Sequence, residues 1–130
     1  MIQSSSLRIR SRETRPGHFE LTLEGRLDSA AADRLEEVVD TIVEGRARKI
    51  LLDMAGVSFI ASRGIGVVIG TYKRLRSAGG ELAMSNLQAP VQKVFSITAA
   101  LPQESIFTGE EEADSYFEAI QRQVREKDEG

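Results

Sequence analysis

The stretch Val57-Ser58-Phe59-Ile60-Ala61-Ser62-Arg63-Gly64-Ile65-Gly66 carries the change of hydrophobic period that decides the fold. Ahead of it, Ile50-Leu51-Leu52 is a continuous apolar run, the pattern of a strand covered on both faces. Gly56 interrupts that run, and Val57 to Ile60 continues or bends the chain toward a helix. From about Ser62 or Arg63 to Ser77 the spacing is helical: Ile65, Val68, Ile69, Tyr72 and Leu75 form one stripe, and Gly79-Gly80 ends it. Glu81-Leu82-Ala83-Met84 reads as the next strand. If the two strands are neighbours, the unit from Lys49 to Met84 is a right-handed βαβ crossover.

Toward the N-terminus, Leu7 and Ile9 alternate with Arg8 and Arg10, as in a half-exposed edge strand. Arg15-Pro16-Gly17-His18 reads as a turn, because Pro fixes φ and Gly accepts positive φ. Phe19, Leu21 and Leu23 then alternate with Glu20, Thr22 and Glu24, which completes a β-hairpin. After Gly25-Arg26-Leu27-Asp28 the period switches, and Leu35, Val38, Val39, Ile42 and Val43 line one side of a helix. Asp28 or Ser29 can cap its first amides and Gly45 can close it.

Toward the C-terminus, Pro90 opens a short helix that carries Val91, Val94 and Phe95. Ile106-Phe107 is a short strand. A last, acidic helix spans about 110–127, with glutamates at its positive end and Ala113, Phe117, Ile120 and Val124 as its stripe. There is no internal repeat and no linker long enough to divide the chain. The expectation is an α/β sandwich: one domain over residues 1–130, core about 7–117, with helices packed on a small mixed sheet.

Composition narrows the chemistry. The chain has 130 residues, no Cys, one His and a net charge of −3. Zero cysteines removes disulfides, thiolate metal sites and a Cys nucleophile, and one His argues against zinc hydrolysis. The charge is too mild for bulk electrostatic binding of nucleic acid. Arg8, Arg10, Arg12 and Arg15 near the start, and the acidic tail, read as solvated ends. No apolar run approaches the ~20 residues that span a bilayer, and the short polar stretch Met1 to Ser6 is not expected to act as a signal peptide. A cytoplasmic protein without membrane insertion is expected.

Ser62 places a hydroxyl at the strand-to-helix junction, beside helix-start amides that favour an anion. As a dinucleotide site the junction is one residue out, because Gly64, Gly66 and Gly70 spell G-x-G-x-x-x-G. Gly66 and Gly70, four apart, could instead let the helix lie close to the sheet. As a hydrolase elbow around Ser62, Ile60 replaces the first glycine and His18 lies upstream rather than downstream. An enzyme would need Ser62, His18, Asp28 and Asp53 to converge in one pocket. Two readings remain from local chemistry: Ser62 as a simple N-cap, or as a phosphorylation switch carrying about −1.5 to −2 charge when modified.

The chain resembles STAS-domain proteins of the bacterial anti-sigma factor antagonist type. Leu23-Glu24-Gly25-Arg26-Leu27-Asp28 is similar to that family's G-x-L-D block. Lys49-Ile50-Leu51-Leu52-Asp53 through Gly64-Ile65-Gly66 resembles its strand and D-S-[ST]-G-[LI]-G loop. Ala78-Gly79-Gly80-Glu81-Leu82, followed by Pro90-Val91-Gln92-Lys93-Val94-Phe95, resembles its G-G strand and P-x-V-x-x-[LIF] helix.

The resemblance implies a non-enzymatic protein without a cofactor. Its partner would be an anti-sigma factor with serine kinase activity, with Ser62 as phosphoacceptor and release of the partner on modification. Asp28, Ser29, Ala61, Ser62, Arg63, Gly64 and Ile65 map to the partner-binding corner. An alternative within the family is a regulatory subunit of a membrane transport complex, docking through the first helix or the Ser62 corner. The sequence departs from the family pattern at Ala61, where the loop carries Asp, at Arg63, where it carries a second hydroxyl, and at Ala31, where many relatives carry a capping Thr. Arg63 would then be placed to pair with a phosphate on Ser62.

Overall fold

The computed structural model describes residues 7–98 and 106–107. Its elements run β1 (Arg8–Arg15), β2 (His18–Leu27), α1 (Ser29–Glu44), β3 (Lys49–Ile60), α2 (Ser62–Ser77), β4 (Glu81–Ser85), α3 (Ala89–Thr98) and β5 (Ile106–Phe107). The helix expected over 110–127 lies outside the described residues. The strands pair in sequence order, β1-β2-β3-β4-β5. β1 and β2 form the antiparallel hairpin, while β2, β3, β4 and β5 are parallel. The mixed α/β sheet is therefore as expected, and β3 and β4 are the neighbours that a crossover through α2 requires.

Alternation along each strand sorts the side chains into two faces. Leu21 stands beside Leu52 and Leu52 beside Met84, all buried in the main core with Leu23, Ile50 and Leu82. Lys49, Ile50, Leu51 and Leu52 are all buried, as a strand covered on both sides requires. Gly56 does not end the strand. It lies where the β2–β3 register shifts, and a Cβ there would sit 2.9 Å from Glu24 Cγ.

In α1, Leu35, Val39 and Ile42 are buried with Ala31 and Ala32, while Val38 and Val43 pack from the flank. The helix ends at Gly45, but the left-handed residue is Arg46 (φ 66), not the glycine. The buried face of α2 is turned from the expected stripe: Gly64, Val67, Val68, Thr71 and Leu75 face the core. Ile65, Ile69 and Tyr72 pack along its margin. Thr71 can be buried because its hydroxyl donates to the Val67 carbonyl at 2.7 Å. Arg74 of α2 is paired with Asp40 of α1, which ties the outer turns of the two helices.

The glycines of α2 divide differently from the sequence expectation. A Cβ on Gly66 or Gly70 would meet nothing within 4 Å, so neither brings the helix to the sheet. Gly64 does: a Cβ there would lie 2.9 Å from Leu27 Cγ and 3.0 Å from Ile60 Cγ1.

At the other end of the sheet, His18, Lys49 and Glu81 stand side by side on three adjacent strands. Burial, then Lys49, Arg15 and Arg48, holds the His18 imidazole below its ordinary pKa. Burial lowers Lys49, against the pull of Glu81, and raises Glu81 itself.

Gly64→Ala should cost about 1–3 kcal/mol through overpacking, whereas Gly70→Ala should add about 0.5–1 kcal/mol because the helix loses a glycine without a clash. Urea denaturation separates the two directions. With its folded pKa depressed, His18 takes up a proton later than it does in the unfolded chain as pH falls. Stability should therefore decline as pH drops through the unfolded value of 6.5. Denaturation curves on either side of that pH should show a loss that is smaller in His18→Gln.

Candidate functional site

Two strand-to-helix junctions meet at the end of the sheet remote from His18. Leu27 of β2 is paired with Ile60 of β3, and the next amide, Ala61 N–H, donates to the Leu27 carbonyl at 2.9 Å. The start of α2 rests on the same two residues through Gly64. Asp28 and Ser29 at the head of α1 are thus brought beside Ala61, Ser62, Arg63, Gly64 and Ile65 at the head of α2. Within this corner Gly64 is buried and Ile65 packs on the core, whereas Ser29, Ser62 and Arg63 are exposed.

The two helix starts are finished differently. Asp28 is the N-cap of α1, its Oδ1 accepting from Ala31 N–H at 2.9 Å. Asp28 therefore does the capping that the sequence left open between Asp28 and Ser29, and Ala31 contributes its amide. α2 has no such cap. Ala61 occupies the N-cap position in extended backbone, and its methyl group offers no acceptor. Ser62 is the first residue inside the helix, so the N-cap role considered for it is not the one it holds.

Arg63 reaches across to α1. Its Nε donates to Asp33 Oδ1 at 3.0 Å, and its Nη2 lies 2.9 Å from both Asp33 Oδ1 and Glu36 Oε1. The Asp33 hydrogen bond, followed by the charge of Glu36, holds the guanidinium charged even more firmly than usual. The cation beside Ser62 is thus already engaged, a partnership that the sequence reading lacked.

A second feature was missed. Arg26 stacks over Phe59, 4.2 Å from the ring centroid, at a cross-strand position one pair before Leu27 and Ile60. Phe59 is 38% exposed, the one large hydrophobic exposed among the described residues. The signal was present: Phe59 and Ile60 are consecutive in a strand, so both cannot face the core.

The convergence that an enzyme would need is not formed. His18 pairs with Lys49 at the first residue of β3, whereas Ser62 follows its last. At about 3.3 Å per strand residue the two are on the order of 30 Å apart. Asp53 lies between them, its Oδ1 accepting from Ala55 N–H at 3.1 Å and Asn86 Nδ2 at 3.3 Å. Among the described residues no helix is long and apolar enough to cross a membrane.

The STAS domain profile matches residues 10–113. The protein BtrV of Bordetella bronchiseptica is 35% identical over 79 residues, 61% of this chain and 68% of BtrV. The anti-sigma F factor antagonist of Paenibacillus polymyxa is 27% identical over 99 residues, covering 75% of this chain and 85% of that protein. The solved structure of the anti-sigma factor antagonist SpoIIAA in its unphosphorylated form superposes with a TM-score of 0.76 at 24% identity, over 86% of this chain and 97% of SpoIIAA.

Asp28→Ala should cost about 1 kcal/mol by leaving the Ala31 amide without its acceptor. Ala61→Asp, which supplies the missing cap at α2, should add stability of the same order. Chemical denaturation measures both.

Proposed function

Because this chain belongs to the STAS domain family, we propose that it is an anti-sigma factor antagonist working in the bacterial cytoplasm. It binds an anti-sigma factor that is also a serine kinase, using the corner of Asp28, Ser29, Ala61, Ser62, Arg63, Gly64 and Ile65, and so frees a sigma factor. The observation that carries this reading is Ser62 itself: an exposed serine at the first position of a helix without a side-chain cap, within paired junctions. The antagonist name of the Paenibacillus polymyxa relative supports this role over that of a transport subunit.

The chemistry asked of this chain is small. The Ser62 hydroxyl oxygen attacks the γ-phosphorus of ATP held by the partner. A new P–O bond forms, the bond to ADP breaks, and the hydroxyl proton leaves. The product adds about −1.5 to −2 charge at the positive end of α2. An exposed N1 side chain can take that group without disturbing the core, so the modification changes the surface offered to the partner rather than the fold. No cofactor is required of the antagonist.

Incubation with the cognate kinase and ATP, followed by mass spectrometry, should place one phosphate on Ser62 and none on the Ser62→Ala protein. Stoichiometric phosphate elsewhere, with Ser62→Ala still modified, would defeat the assignment. Ser62→Asp should weaken partner binding by about tenfold, the equivalent of ~1.4 kcal/mol. An unchanged affinity, read by calorimetry, would identify a binder that added charge at Ser62 does not switch.

A further inference from the structure

We propose that Arg63 is an internal receptor for phosphate on Ser62. The modified side chain draws the guanidinium away from Asp33 and Glu36, so that phosphorylation also uncovers two carboxylates on α1. This rests on the reading of Ser62 as acceptor given above.

Three observations carry the proposal. Arg63 follows Ser62 directly in the first turn of α2, and that turn has no side-chain cap to compete for an incoming phosphate's place. The hold of α1 on Arg63 is an exposed one, with the arginine side chain 48% accessible and those of Asp33 and Glu36 64% and 44%. Solvent screens such contacts, and the long side chain can leave them without opening the core. The hold is also geometrically incomplete. Nε and Nη2 share one oxygen of Asp33 and Nη2 takes one oxygen of Glu36, so neither carboxylate grips the guanidinium through both of its oxygens.

A phosphate dianion alters that balance. It concentrates on one group as much charge as the two carboxylates share, and its three oxygens can accept a two-pronged guanidinium contact. It also sits where the helix dipole favours an anion. The charged side chains in the strand end and first helix turns around Ser62 are Arg26 and Asp28 at the end of β2, Asp33, Arg34, Glu36 and Glu37 on α1, and Arg63 itself on α2. Of the three cations, Arg26 is stacked on Phe59, Arg34 donates to the Leu7 carbonyl, and Arg63 is the one adjoining the acceptor. Once Arg63 turns, Asp33 and Glu36 are left one turn apart with no shared counter-ion. A partner lying along α1 would then meet them bare. A single carboxylate at position 62 has no such advantage over Asp33 or Glu36, so Ser62→Asp should leave Arg63 on α1.

The test installs phosphoserine at position 62 during translation, so no kinase is involved. A 31P titration reads the phosphate's second ionisation, and the 15Nε–Hε signal reads Arg63. On modification the Arg63 signal should move. The second ionisation, ordinarily near 6, should lie at least about half a unit lower than in the Arg63→Gln protein. Asp33→Asn with Glu36→Gln, which removes the competing acceptors, should keep it lowered. In Ser62→Asp the Arg63 signal should stay in place. A phosphoprotein whose Arg63 signal is unmoved, or whose phosphate ionises at the same pH with Arg63→Gln, overturns the proposal. Failure of a kinase to modify Ser62 would instead remove the reading of Ser62 as acceptor and leave this titration intact.

Discussion

A hydrogen in place of a methyl group at Gly64 lets the first turn of α2 rest directly on Leu27 and Ile60. Those two residues are the paired last positions of β2 and β3, and the Leu27 carbonyl also holds the Ala61 amide. One close approach therefore sets where α2 begins, how near it lies to α1, and which of its side chains turn outward. Arg63 can reach Asp33 and Glu36 because α2 is seated this deeply, while Ser62 is left on the surface. A bulkier residue at Gly64 would move both together. The constraint is steric, but its product is an electrostatic arrangement around a hydroxyl.

Most of the fold was legible because it rests on periodicity. The switch from period two at Phe19–Leu23 to helical spacing at Leu35–Val43, and the apolar run at Ile50–Leu52, locate elements whatever lies around them. Orientation within an element was harder to read. In α2 the hydrophobic residues Ile65 and Ile69 outweighed Val67 and Thr71, although the latter pair faces the core. Thr71 looks polar in sequence and becomes a core residue through a local bond to the Val67 carbonyl. Gly66 and Gly70 carried the suggestive spacing, yet the contact belongs to Gly64, because which glycine meets the sheet depends on helix rotation.

The corner was legible by position and illegible by partnership. Asp28, Ser29 and the Ala61–Ile65 segment could be named from the two junctions, since parallel strands deliver their helices to the same end of a sheet. Nothing local to Arg63 announces Asp33 and Glu36, which lie about thirty residues earlier in the chain. The opposite end of the sheet is a separate environment. His18, Lys49 and Glu81 form a row at the end away from Ser62, where burial works against charge.

Among the described residues β1 has a partner on one side only, and one of its rows is arginine: Arg8, Arg10 and Arg12, each near a carboxylate of β2. A bare strand edge is a template on which another chain can add itself by main-chain hydrogen bonding. A second β1 approaching this one would bring cation against cation along its length. The arginine row thus guards the edge of the sheet against strand-on-strand polymerisation, while Ser62, past the ends of the adjoining parallel strands, stays exposed.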